Sequence, residues 1–284
     1  MTLEREIERR IVGRSAAMQE VRGRVLALSR LQVPVLVRGD AGTGRTHVAR
    51  ALHAASGASG GPLCVAGNGE AAPAIARKTV LLEEVAALAP TDQARWLALL
   101  RRSEGGEGGA PLRILATTAH DLGRAVREGA LSPELREQLE RFTLELPPLR
   151  DRTGDVADLA RALGDRAAGR MGRPRVDWTR EALRLLAAQS WPGNVRELAS
   201  LVDRLVAFDS DGRIGRGAVA RLLAESPVGV ASSRRTALRR QRDELAHAID
   251  ETGGNLAEVA RRLNMSRGGV IYRAQKFGLL PRKA

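Results

Sequence analysis

Gly39-Asp40-Ala41-Gly42-Thr43-Gly44-Arg45-Thr46 has the spacing of a phosphate-binding loop, GxxxxGK[ST], with one exchange. Glycines at these positions let backbone N–H groups turn inward on phosphate oxygens, and a following helix adds the positive end of its dipole. The lysine of the pattern is Arg45 here. Arginine is longer, planar and forked, so the exchange is not conservative. Gly39, Gly42, Gly44, Arg45 and Thr46 are the candidate contacts for ATP or ADP. The alternative is a glycine turn that only joins a strand to a helix.

A second chemistry sits in the last fifty residues. Leu238, Leu245 and Ile249 share one face of a helix expected over Thr236–Thr252, which Gly253 and Gly254 stop. Asn255 is an N-cap with Glu258 three residues on, close to a capping box. Leu256, Val259, Ala260 and Leu263 then make the i, i+3, i+4, i+7 stripe of a helix with one buried face. After an Asn264-Met265 turn, Ser266 caps a third helix. Its inward residues are Val270, Ile271, Ala274 and Phe277; Arg267, Tyr272, Arg273 and Lys276 point outward. A short helix, a tight turn and a helix with a basic outer face form a helix-turn-helix that reads a DNA major groove. From Arg234 onward there are twelve basic and five acidic residues, a net charge of about +7. That excess argues against a small bundle whose basic face binds nothing. Arg267, Tyr272, Arg273 and Lys276 are the candidate DNA contacts. Gly268 and Gly269 are unusual inside a helix, where glycine costs roughly 0.5–1 kcal/mol relative to alanine.

These chemistries need a scaffold, and 284 residues are enough for two or three domains. Val33–Val37 is an apolar run ending at Gly39 and is expected to be a buried parallel strand. A helix is expected from Gly44 to Ser56. Further strands are expected at Leu63–Ala66, Thr79–Leu82 and Arg113–Thr117, with a helix over Thr91–Arg102. Strands alternating with helices imply a parallel sheet covered on both faces. Ser103–Pro111 is loop by composition. After Pro147-Pro148 the strand signal ends, and helices are expected at Asp155–Gly169, Thr179–Gln189, Asn194–Asp209 and Gly215–Glu225. Ser226–Ser233 is a linker of small residues.

The net charge is +13 and the hydrophobic share 43%. A single cysteine, Cys64, excludes an internal disulfide framework and suits a reducing cytoplasm. Its apolar neighbours predict a buried, inert thiol. Four histidines without a Cys/His cluster give no structural zinc site. Met1–Arg10 has no apolar stretch and is not a signal peptide, and no run reaches the length of a membrane span.

From Ile11 to Leu223 the chain resembles the AAA+ domain of the NtrC-type bacterial enhancer-binding proteins, the sigma-54 activators. The residues that carry the resemblance are Val12–Ser15, the Gly39–Thr46 loop, Ala49–His53, Leu146–Arg152 and, most specifically, Trp191-Pro192-Gly193-Asn194-Val195-Arg196-Glu197-Leu198. The tail resembles the Fis-type helix-turn-helix of the same family, including Gly253-Gly254-Asn255 and Gly278-Leu279. The resemblance places a degenerate Walker B pair on Glu83 and Glu84, and a sensor arginine of the lid on Arg196. It also implies several departures. The sensor asparagine falls on Ala119. The two arginines supplied in trans fall on Ser132 and Gln138, with Arg136 and Arg141 nearby as substitutes. The longer Glu83 is expected to disturb magnesium geometry, which is strict. The family's long insertion with its GAFTGA loop is replaced by Gly67–Lys78 (GNGEAAPAIARK), and no receiver or sensory domain is expected ahead of Ile11.

The expected architecture is therefore α/β, an AAA+ parallel sheet with a helical lid, followed by an all-α helix-turn-helix domain. The expected boundaries are 1–148 for the degenerate α/β subdomain, 149–226 for the lid, 227–233 for the linker and 234–284 for the DNA-binding domain. The expected function is a cytoplasmic, sequence-specific, sigma-54-independent transcription regulator. Its core is an oligomerisation or partner scaffold that binds ATP or ADP with little or no hydrolysis. Its partners would be double-stranded DNA, a second copy or a higher oligomer, and RNA polymerase or another regulator. Two alternatives stand beside it: an ATP-hydrolysing regulator switched by nucleotide, and a nucleoid-type DNA organiser.

Overall fold

The computed structural model describes residues 2–56, 63–66, 79–104, 113–208, 212–225, 245–252, 255–263, 265, 269–271, 274 and 279. It divides into two compact units, 1–222 and 223–284.

The first unit is built on five strands: β1 (Val35–Gly39), β2 (Leu63–Ala66), β3 (Thr79–Leu82), β4 (Arg113–Thr118) and β5 (Thr143–Leu146). They pair in the order β2-β3-β4-β1-β5, and every pairing is parallel. Period-2 alternation sends consecutive apolar residues to opposite faces. Val35, Val37, Leu81, Leu115 and Leu144 meet Ile7 of α1 (Leu3–Arg10), Met18, Val21 and Val25 of α2 (Ala16–Ser29), and Val48 and Leu52 of α3 (Arg45–Ala55). Leu36, Val80, Leu82, Ile114 and Ala116 instead meet Trp96 and Leu100 of α4 (Pro90–Glu104), Leu122 of α5 (Leu122–Arg127), and Leu135 and Leu139 of α6 (Pro133–Glu140). The result is the expected three-layer α/β sandwich. Cys64 differs from expectation. It is half-buried rather than buried, because β2 is an edge strand; its neighbour Val65 is exposed.

The lid follows Pro148 with α7 (Val156–Arg170), α8 (Arg180–Ala187), α9 (Asn194–Phe208) and α10 (Arg216–Glu225). The strand signal does not end at Pro148 as expected. β6 (Asp177–Trp178) and β7 (Arg213–Ile214) form a two-residue parallel bridge. Two residues are too short to show a period, so the sequence pattern carries no trace of it. Gly164 of α7 makes room for Trp178, whose indole lies where a larger side chain would fall.

In the second unit a helical stretch, α11 (245–251), precedes α12 (Leu256–Arg262). Asn255 caps α12, its Oδ1 accepting from Ala257 N–H at 3.2 Å and Glu258 N–H at 3.4 Å. The reciprocal half of the capping box is absent. The Asn255 N–H donates to Thr252 C=O at 3.1 Å, and the Glu258 carboxylate takes the Arg261 guanidinium instead. Leu245, Ala248, Val259, Ala260, Val270 and Ala274 form the core of this unit, with Ile249, Leu256, Leu263, Met265 and Leu279 against it. Ile271 is half-buried. Residues 269–271 and 274 are helical, where the third helix is expected.

Candidate functional site

The loop of Gly39–Thr46 leaves the C-terminal end of β1 and turns into α3. β1 lies between β4 and β5, so the loop opens at the carboxyl edge of the sheet, where ligands of open α/β sheets bind. Gly42 and Gly44 have φ of +80° and +106°, in the left-handed region that glycine adopts without strain. At Gly42 there is a second constraint: a Cβ would stand 2.3 Å from the Gly193 carbonyl.

The outer side of the loop is clasped by the lid. Arg196 N–H donates to Gly42 C=O at 3.2 Å, and Asn194 Nδ2 donates to Ala41 C=O at 2.9 Å. Arg152 donates to Thr43 C=O at 3.0 Å, and Arg150 pairs with Asp40 at 3.0 Å. Asn194 is 1% exposed, and its Oδ1 also accepts from Leu149 N–H at 2.8 Å. One side chain thus ties the phosphate loop, the Leu146–Arg152 segment and the start of α9 together. Burial lowers the pKa of Arg152, and the neighbouring Asp155 opposes that shift. Asp155 is fully buried and accepts from Arg14 N–H, Ser15 N–H and Ser15 Oγ at 2.6–2.7 Å, which anchors the segment before α2.

The inner side is closed by ion pairing. Arg45 is 8% exposed. Its guanidinium donates to Gly39 C=O at 2.8 Å and pairs with Glu84 Oε1. Glu84 Oε2 accepts from Ala119 N–H at 3.0 Å. Thr46 Oγ1 donates to Glu83 Oε1 at 2.7 Å. Glu84 has φ of +50°, a strained conformation for a residue with a side chain, and such strain collects at functional sites. The structure therefore brings Gly39, Gly42, Gly44, Arg45, Thr46, Glu83, Glu84 and Arg196 together around one loop.

Two hollows adjoin it. A cleft of about 390 Å³ is lined by Gly42, Gly44, Arg45, Thr46, His47, Arg50, Val195, Arg196 and Ala199. A more apolar pocket of about 210 Å³ shares Gly44, His47 and Val195 with it and adds Ile11, Val12, Val48, Leu146, Leu159 and Leu163. The two hollows meet at Gly44, His47 and Val195. Arg50, Asn194 and Arg152 lie in the motifs that carry the resemblance but are not among the candidate site residues read from the sequence; the roles of Asn194 and Arg152 depend on contacts across the fold.

Ala119 opens the strand-to-helix turn after β4 and offers only its backbone N–H to Glu84. Ser132 caps α6, its hydroxyl accepting from Leu135 N–H at 3.4 Å. Gln138 lies on α6, and Arg136 pairs with Glu140 at 2.8 Å. Arg267, Tyr272, Arg273 and Lys276 lie outside the described residues, as does Gly67–Lys78. No metal-binding cluster of histidine, cysteine or acidic residues occurs among the described residues, and none of their helices is long and apolar enough to cross a membrane.

Comparison with known proteins gives this geometry its family. Residues 12–149 match the Sigma-54 interaction domain, 150–234 the AAA+ ATPase lid domain, and 237–277 the Fis family of bacterial regulatory proteins. The transcriptional regulatory protein ZraR of Klebsiella oxytoca is 30% identical over 94% of this chain and 68% of its own length. Among solved structures, NtrX of Brucella abortus in complex with ADP has a TM-score of 0.64 at 23% identity, covering 96% of this chain and 71% of NtrX. Its ATP complex has a TM-score of 0.63 at 24% identity, covering 97% and 72%. These structures establish the fold, and the sequence relatives establish more. The chain belongs to the NtrC-type family of bacterial enhancer-binding proteins and is a DNA-binding transcription regulator with an AAA+ sigma-54 interaction domain.

Proposed function

We propose that this chain regulates transcription through its Fis-type domain while its AAA+ core binds ATP or ADP as a scaffold and does not act as a motor. The observation that carries this reading is the Arg45–Glu84–Ala119 chain. In phosphoryl transfer to water, a carboxylate must face the attacking water, and fixed cations must face the γ-phosphate. Here one oxygen of Glu84 is held by Arg45 and the other by the Ala119 N–H. Ala119 has no side chain to orient a water. Ser132 and Gln138 bring no charge where the family supplies arginines in trans, a contribution on the order of 10³–10⁵ in rate. Of the two nearby substitutes, Arg136 and Arg141, the first is paired with Glu140.

Nucleotide binding is supported by the arginine-lined cleft and the more apolar pocket beside it, which would take phosphates and base in turn, and by the ADP and ATP complexes of NtrX. The 12 residues of Gly67–Lys78 contain no GAFTGA sequence, which supports action with a sigma factor other than sigma-54. The core would then hold copies together or dock RNA polymerase or a second regulator, in the cytoplasm. DNA would be read by a dimer or higher oligomer, with two-fold symmetry mirrored in the operator. Within the tail, Arg267 would meet base edges from the first turn of the third helix. Tyr272, Arg273 and Lys276 would lie nearer the phosphates.

Two experiments test the reading. In a purified system, a sigma-54 promoter with sigma-54 polymerase, ATP and this protein should give no transcript above the protein-free control; ATP-dependent transcription would refute the proposal. On DNA, Arg267→Ala should cost about 1–3 kcal/mol of discrimination between cognate and mutated sites. Lys276→Ala should weaken all DNAs alike and lower the salt slope by about one unit. Unchanged affinity and specificity in Arg267→Ala would remove this helix as the reader. Uniform affinity across DNAs in the wild type would favour a nucleoid organiser.

A further inference from the structure

Seven arginines and four acids fall in two stretches of the lid, Arg173–Arg184 and Asp209–Arg221, whereas the rest of residues 149–225 is balanced at seven of each. The β6–β7 bridge draws these stretches together. Its strands run parallel, with Asp177 opposite Arg213 and Trp178 opposite Ile214, and the Thr179 N–H donates to Ile214 C=O at 3.1 Å. Two residues beyond Trp178 stands Arg180, the first residue of α8; two beyond Ile214 stands Arg216, the first of α10. Neighbouring strands lie about 4.8 Å apart, so these two arginines leave the bridge side by side. Arg184 follows Arg180 one turn on, along the same outer face of α8, while Ala182, Leu183 and Leu186 turn inward.

Arg180, Arg184 and Arg216 are exposed, and none of their guanidinium groups has a hydrogen bond or ion pair among the described residues. Arg213 beside them approaches Asp177 no closer than 3.9 Å, with both side chains more than two-thirds exposed. Elsewhere in the lid Arg150, Arg161 and Arg170 pair with Asp40, Asp158 and Asp203 at 2.7–3.2 Å. Unpaired guanidinium groups held on helices, with positive charge in excess around them, suit a phosphate backbone. The neighbouring domain indicates which polyanion. α10 ends at Glu225, and the match to the Fis family begins at residue 237. The eleven residues between them span at most about 40 Å. That tether keeps DNA held by the Fis-type domain near the lid.

We propose that Arg180, Arg184 and Arg216 of the lid form a second DNA contact, which takes phosphates of the duplex beside the segment held by the Fis-type domain. A contact with the backbone alone carries no sequence preference, so a duplex of arbitrary sequence serves as the probe. Fluorescence anisotropy of the full chain tests it, on duplexes of about 40 bp and about 12 bp, the shorter being little more than one helical turn. Salt is varied from about 50 to about 200 mM, and each lost phosphate contact lowers the salt slope by about 0.9. Arg180→Ala/Arg184→Ala/Arg216→Ala should therefore flatten the slope on the longer duplex by about two to three units and weaken its binding at least tenfold, with the melting temperature of the protein unchanged. On the shorter duplex, which the Fis-type domain fills, the variant should match the wild type within twofold. Lysine at the same three positions should restore most of the slope, since a point charge suffices for a phosphate. Arg5→Ala/Arg9→Ala/Arg30→Ala removes as much exposed charge from α1 and the end of α2, and should leave slope and affinity as in the wild type. A wild-type slope in the lid variant would overturn the proposal. An equal loss on the shorter duplex would overturn it too, by tracing the effect to the Fis-type domain. An equal loss in the α1–α2 variant would reduce the effect to net charge and overturn it likewise.

Discussion

On one side of the Gly39–Thr46 loop, Arg50 and Arg196 line a cleft with no partner for either guanidinium among the described residues; on the side of β3 and β4, Arg45, Glu84 and the Ala119 N–H are bonded to one another. Binding and turnover draw on these two sides separately. Holding a nucleotide needs cations and N–H groups directed at phosphates. Cleaving it needs a carboxylate free to face water and charge aimed at the transition state. The function proposed above rests on that division: the first side would hold the nucleotide, and the second would leave it uncleaved.

The largest effect is expected where the clasp itself is cut. Asn194→Ala would leave the buried Leu149 N–H without a partner and release the exposed Ala41 from the lid, at about 2–3 kcal/mol in all. Urea unfolding of the full chain should show this loss, and ADP affinity should fall with it. If stability falls and ADP affinity does not, the lid side is not the binding side.

Gly42→Ala should cost about 1–3 kcal/mol, since its Cβ would stand 2.3 Å from a backbone carbonyl and its φ of +80° is strained for alanine. A thermal melt reads the loss. An unchanged melting temperature would mean that the loop does not lie against Gly193.

In the second unit, Asn255→Ala removes the cap of α12 at about 1 kcal/mol. Hydrogen exchange of residues 256–262 should quicken several-fold while α3 and β1 stay protected. Loss of protection in both units would contradict their division.

The smallest effect has the opposite sign. Arg113 opens β4 with only 2% of its surface exposed, and burial alone pushes its pKa down to about 10. Among the described residues its guanidinium donates to Leu28 C=O, which also takes the Leu31 N–H, so removing the guanidinium does not orphan that carbonyl. Arg113→Met should therefore stabilise the core, by about 1 kcal/mol at pH 7. The folded-state pKa lies below the unfolded one, so the penalty on the charged form is present at neutral pH. It lifts as pH rises through about 10, and the advantage of the variant should shrink there. A destabilised Arg113→Met at pH 7 would show that this buried cation has partners that matter.

The central strands were legible because Val35–Val37, Thr79–Leu82 and Arg113–Thr117 are apolar on both faces, as strands of a covered parallel sheet must be. β5 escaped notice, since Thr143-Leu144-Glu145-Leu146 alternates over four residues only and lies at an edge, with Glu145 paired to Arg38 at the surface. α1 was hidden by its charges: one buried residue, Ile7, turns a run of acids and arginines into a helix with an inner face. In the site, the loop glycines and Glu83–Glu84 carried their own signal through spacing. Asn194 stood in the Trp191–Leu198 motif, but its partners did not show, since they lie 45 and 153 positions away. Nor could the sequence tell that Arg45 turns from the phosphates to Glu84, which is a choice of rotamer between two acceptors.

The comparison between the two sides of the loop is tested most directly by single-turnover cleavage, with the protein in excess over labelled ATP at a concentration where binding is saturated. The account predicts that bound ATP stays intact, with ADP appearing no faster than in buffer and no difference between the wild type and Glu84→Gln. ADP released at a rate well above buffer and abolished by Glu84→Gln would contradict it, because Glu84 would then be free to act on water despite Arg45.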